Sequence, residues 1–203
     1  MQADWAVELG PDDEVLEFPW ASTDGTLHYL DIKSDPSLIY EMEEALDCDP
    51  LREFLAALNT PHSALLTAKC DTWSSDELTH EEDVFQAAVK FGSYVDVLFA
   101  AAELRFCFEE HESLAKQAAE LLERAPEISA AAELLVRRCY FRDQPSFGGN
   151  GHEPDPRGGY YITVYLFGYG DDDEDARNRW GVGMNLTQNA LLQITARRGP
   201  QSG

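Results

Sequence analysis

The stretch Tyr160-Tyr161-Ile162-Thr163-Val164-Tyr165-Leu166-Phe167-Gly168 decides the fold class. On an extended chain Tyr160, Ile162, Val164 and Leu166 point one way, and Tyr161, Thr163, Tyr165 and Phe167 the other. Nearly every residue is aromatic or β-branched, the types that suit a pleated, packed surface. Both sides are apolar or aromatic, which predicts a strand covered on two faces at the centre of a sheet. Arg157-Gly158-Gly159 leads into it, Gly168-Tyr169-Gly170 leads out, and five acids follow, Asp171, Asp172, Asp173, Glu174 and Asp175.

Downstream, Trp180, Val182, Met184 and Leu186 alternate with polar or small residues, and Ala190, Leu192 and Ile194 continue the series. That pattern predicts a half-buried strand paired with the central one, with a helix over Thr187–Thr195 as the alternative. Upstream, Ile128–Tyr140 begins Ala-rich, which predicts a helix, with a strand from Leu135 as its rival. Between it and the central strand, Gln144–Gly159 carries Pro145, Pro154, Pro156 and five glycines, and reads as a long loop.

Nearer the N-terminus, Trp5, Val7 and Leu9 alternate as a short strand, and Val15, Leu16, Phe18 and Trp20 form a second apolar stretch. Asp24-Gly25 between apolar runs is a hairpin signal. Asp35-Pro36 and Asp49-Pro50 each mark a helix start, with Pro at the first helical position. The apolar stripes run to Leu46 and to Leu58. Ala64–Cys70 reads as a strand. Thr79-His80-Glu81-Glu82 fits a capping box opening a helix through Phe91. Tyr94–Phe99 and Leu104–Phe108 read as strands, and His111–Arg124 as the clearest helix. The expected fold is therefore α+β: residues 1–196 form a single mixed, mostly antiparallel sheet with helices packed largely on one face, and 197–203 form a loose tail.

Charge narrows the function classes. The 203 residues carry 38 acids against 15 Lys and Arg, a net charge of −23. Residues 1–100 hold 22 acids and 4 bases, so −18, and residues 101–203 hold the remaining −5. Nucleic acid and anionic membrane surfaces are repelled by such a field, because phosphate binding needs clustered cations. No apolar run reaches the ~18 residues of a membrane span. Cys48, Cys70, Cys107 and Cys139 are too far apart in sequence for a CxxC-type clip and read as thiols in a reducing compartment. The opening MQADWAVELG lacks the pattern of a secretory leader, so the expected location is cytoplasmic.

Motifs add little. Asp171, Asp173 and Asp175 have the spacing of the first three ligands of a Ca²⁺ loop, but Ala176 and Val182 stand where that loop needs Gly and Glu. The same acids suit the first turn of a helix, where the dipole favours negative charge. His28, His62, His80, His111 and His152 form no metal-binding pair, although His152 with Glu153 and Asp155 offers acid–base chemistry on the long loop. Ser113–Lys116 matches SxxK without companion motifs, and the Gly148-Gly149-Asn150-Gly151 run opens no helix. Trp73, Tyr94, Phe147, Tyr169 and Trp180 lie near expected element ends, where aromatics either close a core or anchor a partner.

The charge favours a non-enzymatic interaction domain, an inhibitor, immunity-like protein or adaptor, that binds a basic protein partner and needs no cofactor. Its expected contact residues are Asp171, Asp172, Asp173, Glu174 and Asp175 with Tyr169 and Trp180. The alternative is an enzyme or ligand-binding domain with Ca²⁺ or Mg²⁺ held by Asp171, Asp173 and Asp175.

Overall fold

The computed structural model describes residues 1–125, 127–142 and 157–197. The aromatic stretch lies within a fourteen-residue strand, β6 (Arg157–Gly170), at the middle of the sheet. Around it are β1 (Gln2–Glu8), β2 (Val15–Phe18), β3 (Leu65–Ser75), β4 (Val89–Phe99) and β5 (Ala130–Phe141). The order is β1-β5-β6-β4-β3, and β2 extends the β1 edge by pairing with the far end of β5. β1 and β2 run parallel to β5, and the other pairs are antiparallel, so the sheet is mixed as expected.

The α-helices α1 (Glu43–Asp47), α2 (Asp49–Leu58), α3 (Phe108–Leu122) and α4 (Asp173–Ala196) all bury residues against one face. Ile162, Val164 and Leu166 of β6 meet them, with Ala132, Leu134 and Val136 of β5 and Val95, Val97 and Phe99 of β4. The opposite face carries a smaller core of Leu16, Phe18, Leu66, Leu98, Cys139, Phe141 and Tyr161, roofed by the segment that crosses from β2. There Trp20 Nε1 donates to the Ala68 carbonyl at 2.8 Å, tying that crossing to the far edge of the sheet.

Two segments exchange the roles the sequence suggests. Residues 128–140 are not a helix: Ala130–Phe141 is strand β5, paired along its whole length with β6. Residues 180–195 are not a strand: they belong to α4. Its buried positions, Ala176, Trp180, Gly183, Met184, Thr187, Ala190, Leu191 and Ile194, follow helical spacing. Val182 is 48% exposed, so the apparent alternation ran through a residue on the wet side. Buried Thr187 and Thr195 return their hydroxyls to the carbonyls of Gly183 and Leu191, four residues back, at 2.9 and 2.8 Å. The helix lies hard against β6: a Cβ on Gly168 would stand 2.2 Å from the Ala176 carbonyl oxygen and 2.3 Å from the Trp180 amide.

Smaller corrections concern the connections. Thr79 does open a turn, its amide held by Glu82 Oε2 at 2.7 Å, but only a 3₁₀ turn over Glu82–Phe85 follows. Gln86 then adopts φ 50, and Val89 already belongs to β4. Leu104–Phe106 is another 3₁₀ turn rather than a strand. Asp35 does cap the turn Pro36–Glu41, accepting from the Ser37 amide. The Gln144–Gly159 loop lies mostly outside the described residues, and Gly158 and Gly159 are already in β6. Among the described residues no helix is long and apolar enough to cross a membrane.

Candidate functional site

The sheet face turned away from the helices is where unabsorbed chemistry collects. Strand pairing places one residue from each of five strands in a single row: Asp4, Glu133, Tyr165, Tyr94 and Asp71. Asp4 stands directly opposite Glu133, a like-charge pair that a sheet ordinarily avoids. The three carboxylates are exposed and bracket two half-buried tyrosine rings whose centroids are 6.0 Å apart. None of the three forms an ion pair among the described residues. Burial pushes the Glu133 carboxyl above its ordinary value, and the nearby Glu8 and Asp4 push it the same way.

The neighbouring rows frame this one. Above it, Phe167 meets Trp73 edge-on at 6.0 Å, and the Trp73 ring occupies the space over Gly92. Phe167 also stacks parallel to Tyr165 at 6.4 Å. Lys90 sits 5.7 Å from the Phe167 ring and is tied to Glu82 at 2.9 Å. Below it, Asp96 lies opposite Thr163 and accepts that hydroxyl at 2.7 Å. Asp96 is 3% exposed, and its burial drives the carboxyl up to about 7, against the pull of the Thr163 hydrogen bond. A bulge in β3 between Thr67 and Cys70 falls beside it. Arg137 closes the lower border, held by Glu8 at 2.7 Å and Glu14 at 3.0 Å, with its guanidinium 5.6 Å from the Tyr165 ring.

The residues singled out in the sequence are distributed otherwise. Trp73 and Tyr94 belong to this open face. Trp180 does not line a rim: it is 2% exposed, and its indole donates to Ser93 Oγ at 2.8 Å. Tyr169 is equally buried, stacked on Phe85 at 4.0 Å with its hydroxyl on Glu82. Phe147 and His152 lie outside the described residues.

Asp171–Asp175 opens α4, as the helix-dipole reading requires. Asp172 is the N-cap and accepts from the Asp175 amide at 2.9 Å. Asp173 pairs with Arg177 at 2.8 Å and Asp175 with Arg179 at 2.7 Å, while Glu174 is exposed. Asp171, Asp173 and Asp175 therefore do not converge, and no group of three metal-ligating side chains is found among the described residues. The loop stands at the opposite end of β6 from residue 157, roughly 40 Å along the strand.

The remaining motifs have structural roles. His111 is buried, bonded through Nδ1 to the Cys107 carbonyl at 2.8 Å and packed edge-on to Phe99. Lys116 is on the wet side of α3, and Ser113 Oγ accepts from Gln117. All four cysteines are free thiols.

The row of three acids and two tyrosines was not visible in the sequence, because its members come from five separate segments. The one available signal was the strict alternation of β6, which put Tyr165 and Phe167 on the same side. A scan against protein-family models finds no match, and searches of the curated proteins and of the solved structures find none either.

Proposed function

We propose that this chain is an acidic interaction domain that takes a basic segment of a protein partner across the open face of its sheet. The observation that carries the reading is the row Asp4–Glu133–Tyr165–Tyr94–Asp71, three carboxylates that form no ion pair among the described residues, around two half-buried rings. Two carboxylates set opposite each other cost stability unless a cation joins them. A guanidinium or ammonium group supplies that charge and gains the ring faces as well. Arg137 over Tyr165 and Lys90 over Phe167 already use rings of this face in that way at its borders. The net charge of −23 steers a basic partner in and keeps polyanions out. Free thiols at all four cysteines fit a cytoplasmic setting. The exposed acids at Asp171, Asp172, Asp173 and Glu174 join the attracting field rather than form the contact.

The test uses a labelled nine-residue peptide alternating Arg and Ser, followed by fluorescence anisotropy. The double variant Asp4→Asn/Glu133→Gln should lose about tenfold in affinity, the equivalent of ~1.4 kcal/mol. The double variant Glu41→Gln/Glu44→Gln removes the same charge away from the face, and should lose no more than about twofold once ~0.15 M salt screens beyond a Debye length of about 8 Å. Equal losses in the two variants would reduce the interaction to bulk acidity and remove the face from it.

A further inference from the structure

A second feature lies at the end of the sheet where β2, β3 and β5 carry the smaller core, away from the acidic row. A cleft of about 420 Å³ opens there between the chain following β2 and the end of β4. Phe18, Tyr29 and Phe141 form its aromatic walls, Phe18 meeting the other two edge-on at 4.6 and 5.9 Å. That volume falls in the range of small-molecule sites, which are typically apolar with a few fixed polar groups.

The polar groups here are cations. Lys33 and Arg105 both line the cleft, and neither has a carboxylate within ion-pair distance among the described residues. In a chain with 38 acids and 15 Lys and Arg this is an unusual place to leave two positive charges. Backbone carbonyls hold them instead. Lys33 Nζ donates to Thr60, Ser63 and Leu65 at 2.7, 2.8 and 3.0 Å. Arg105 donates through Nε to Phe99 at 2.9 Å and through Nη2 to Ala100 at 3.2 Å. Its guanidinium lies 5.7 Å from the Phe18 ring and 5.4 Å from the Phe141 ring. Asp31, the one acid among the described lining residues, accepts the Ser34 amide at 3.1 Å and hydroxyl at 2.7 Å and the Tyr29 hydroxyl at 3.4 Å.

A guanidinium has five N–H groups in a planar fork, and the two carbonyls leave the Nη1 edge without an acceptor among the described residues. Burial pulls both cations below their ordinary values, against the opposing pull of the Asp31 charge on Lys33. A carboxylate matches the guanidinium fork, and a flat apolar body matches the ring-lined walls.

We infer that this cleft binds a small organic anion with a flat apolar body, of the aromatic carboxylate class, its carboxylate on Arg105 and its body among Phe18, Tyr29 and Phe141. Lys33, with its three donors spent on carbonyls, contributes field rather than a hydrogen bond. The inference is independent of the open-face reading, since the two share no residue.

The test titrates the full chain, with methyl groups labelled for NMR, with benzoate, benzyl alcohol and inorganic phosphate in turn. The reporters are the methyl signals of Leu66 and Ala100, both on the cleft lining. Benzoate should shift them saturably, with benzyl alcohol and phosphate at least about tenfold weaker, because each lacks one half of the match. Arg105→Gln should weaken benzoate by about tenfold or more, with Arg105→Lys in between, because a point charge does not replace the fork. The comparison of the three probes on the unaltered protein stands even if an Arg105 variant fails to fold. Benzoate and benzyl alcohol binding within threefold of each other would overturn the inference, as would phosphate matching benzoate. So would the absence of any shift up to about 50 mM benzoate, well above the low-millimolar affinity a ligand of this size reaches.

Discussion

Replacing Asp96 by Asn should make the protein more stable, and increasingly so as pH rises. The side chain is 3% exposed in the middle of the sheet and accepts the Thr163 hydroxyl at 2.7 Å. Burial lifts its carboxyl from 3.8 to about 7; Thr163 opposes the shift, Glu14 adds to it, and Lys69 and Arg137 oppose it. The folded state therefore holds a proton that the unfolded state releases between about pH 4 and 7, so stability falls across that window as pH rises. Below about pH 4 both states are protonated and nothing is lost; above about pH 7 both are ionised and the loss is complete. Three pKa units correspond to roughly 4 kcal/mol as the ceiling. Asn keeps the volume and an acceptor for Thr163 but carries no charge. Urea unfolding of both proteins at about pH 5.5, 6.5 and 8 stays clear of the isoelectric point near 4.3. The variant's advantage should grow by roughly 2 kcal/mol from the lowest to the highest pH, since part of the window is already passed at pH 5.5. Acids that do not interact with Asp96 titrate alike in both proteins, so the difference isolates Asp96 and its coupling to Glu14. A difference that stays flat with pH, or an Asn variant less stable at pH 8, would mean that Lys69 and Arg137 keep the carboxylate ionised throughout, and the reasoning would be wrong.

Other substitutions test the packing that presents the face. Gly168→Ala should cost about 3 kcal/mol or more in thermal or urea unfolding, because its Cβ meets backbone atoms of α4 rather than a yielding side chain. Ser93→Ala should cost about 1–3 kcal/mol by leaving the buried Trp180 indole N–H without its acceptor, whereas adding Trp180→Phe should show a compensating coupling in a double-mutant cycle. Lys90→Met should cost about 3 kcal/mol near neutral pH and far less once Glu82 is protonated, since both side chains of that ion pair are only 14% exposed. Asp172→Ala should cost about 1 kcal/mol by removing the N-cap of α4.

How far the sequence reveals the fold depends on whether a segment's neighbours agree with its own pattern. In Tyr160–Phe167 they agree: local propensity favours a strand, and β4 and β5 pair with it on either side, although Tyr165 and Phe167 are only half-buried on the open face. Asp35-Pro36 and Asp49-Pro50 are also legible as helix starts, because Pro suits a first turn and Asp35 caps locally, although α2 begins at Asp49 itself with no side-chain cap on Cys48. The exchange of roles between residues 128–140 and 180–195 has one physical cause. Helix α4 lies so close to β5 and β6 that small residues are needed at particular points: Gly168 and Gly170 on β6 against the α4 backbone, and Gly183 on α4 against Leu166 and Ala130. Alanine in a strand and glycine in a helix both contradict propensity, and both are there because of the neighbouring element. The capping box at Thr79 is a different failure. Its local hydrogen bond forms, but the residues after it belong to a strand paired with β6, and that pairing outweighs the helical spacing of Val84, Phe85, Ala88 and Val89.

The acidic row on the open face is illegible for a deeper reason. The five-acid run at Asp171–Asp175 drew attention because its charges are consecutive, yet helix capping and i,i+4 arginines neutralise several of them on the spot. Asp4, Asp71 and Glu133 are isolated in sequence and look like ordinary solvated surface. Only the register of four strand pairs brings them into line around Tyr165 and Tyr94, and only then does it become visible that they form no ion pair among the described residues. Local clusters tend to carry their own compensation, because adjacent like charges must be tolerable before any tertiary structure forms. Charges that meet only on folding have no such requirement, so an uncompensated group assembled from distant segments points to an outside partner more strongly than any run in the sequence. The same logic separates the cleft at Arg105 from the surface arginines. Arg177 and Arg179 meet acids four residues away, while Arg105 meets carbonyls and rings and no carboxylate among the described residues.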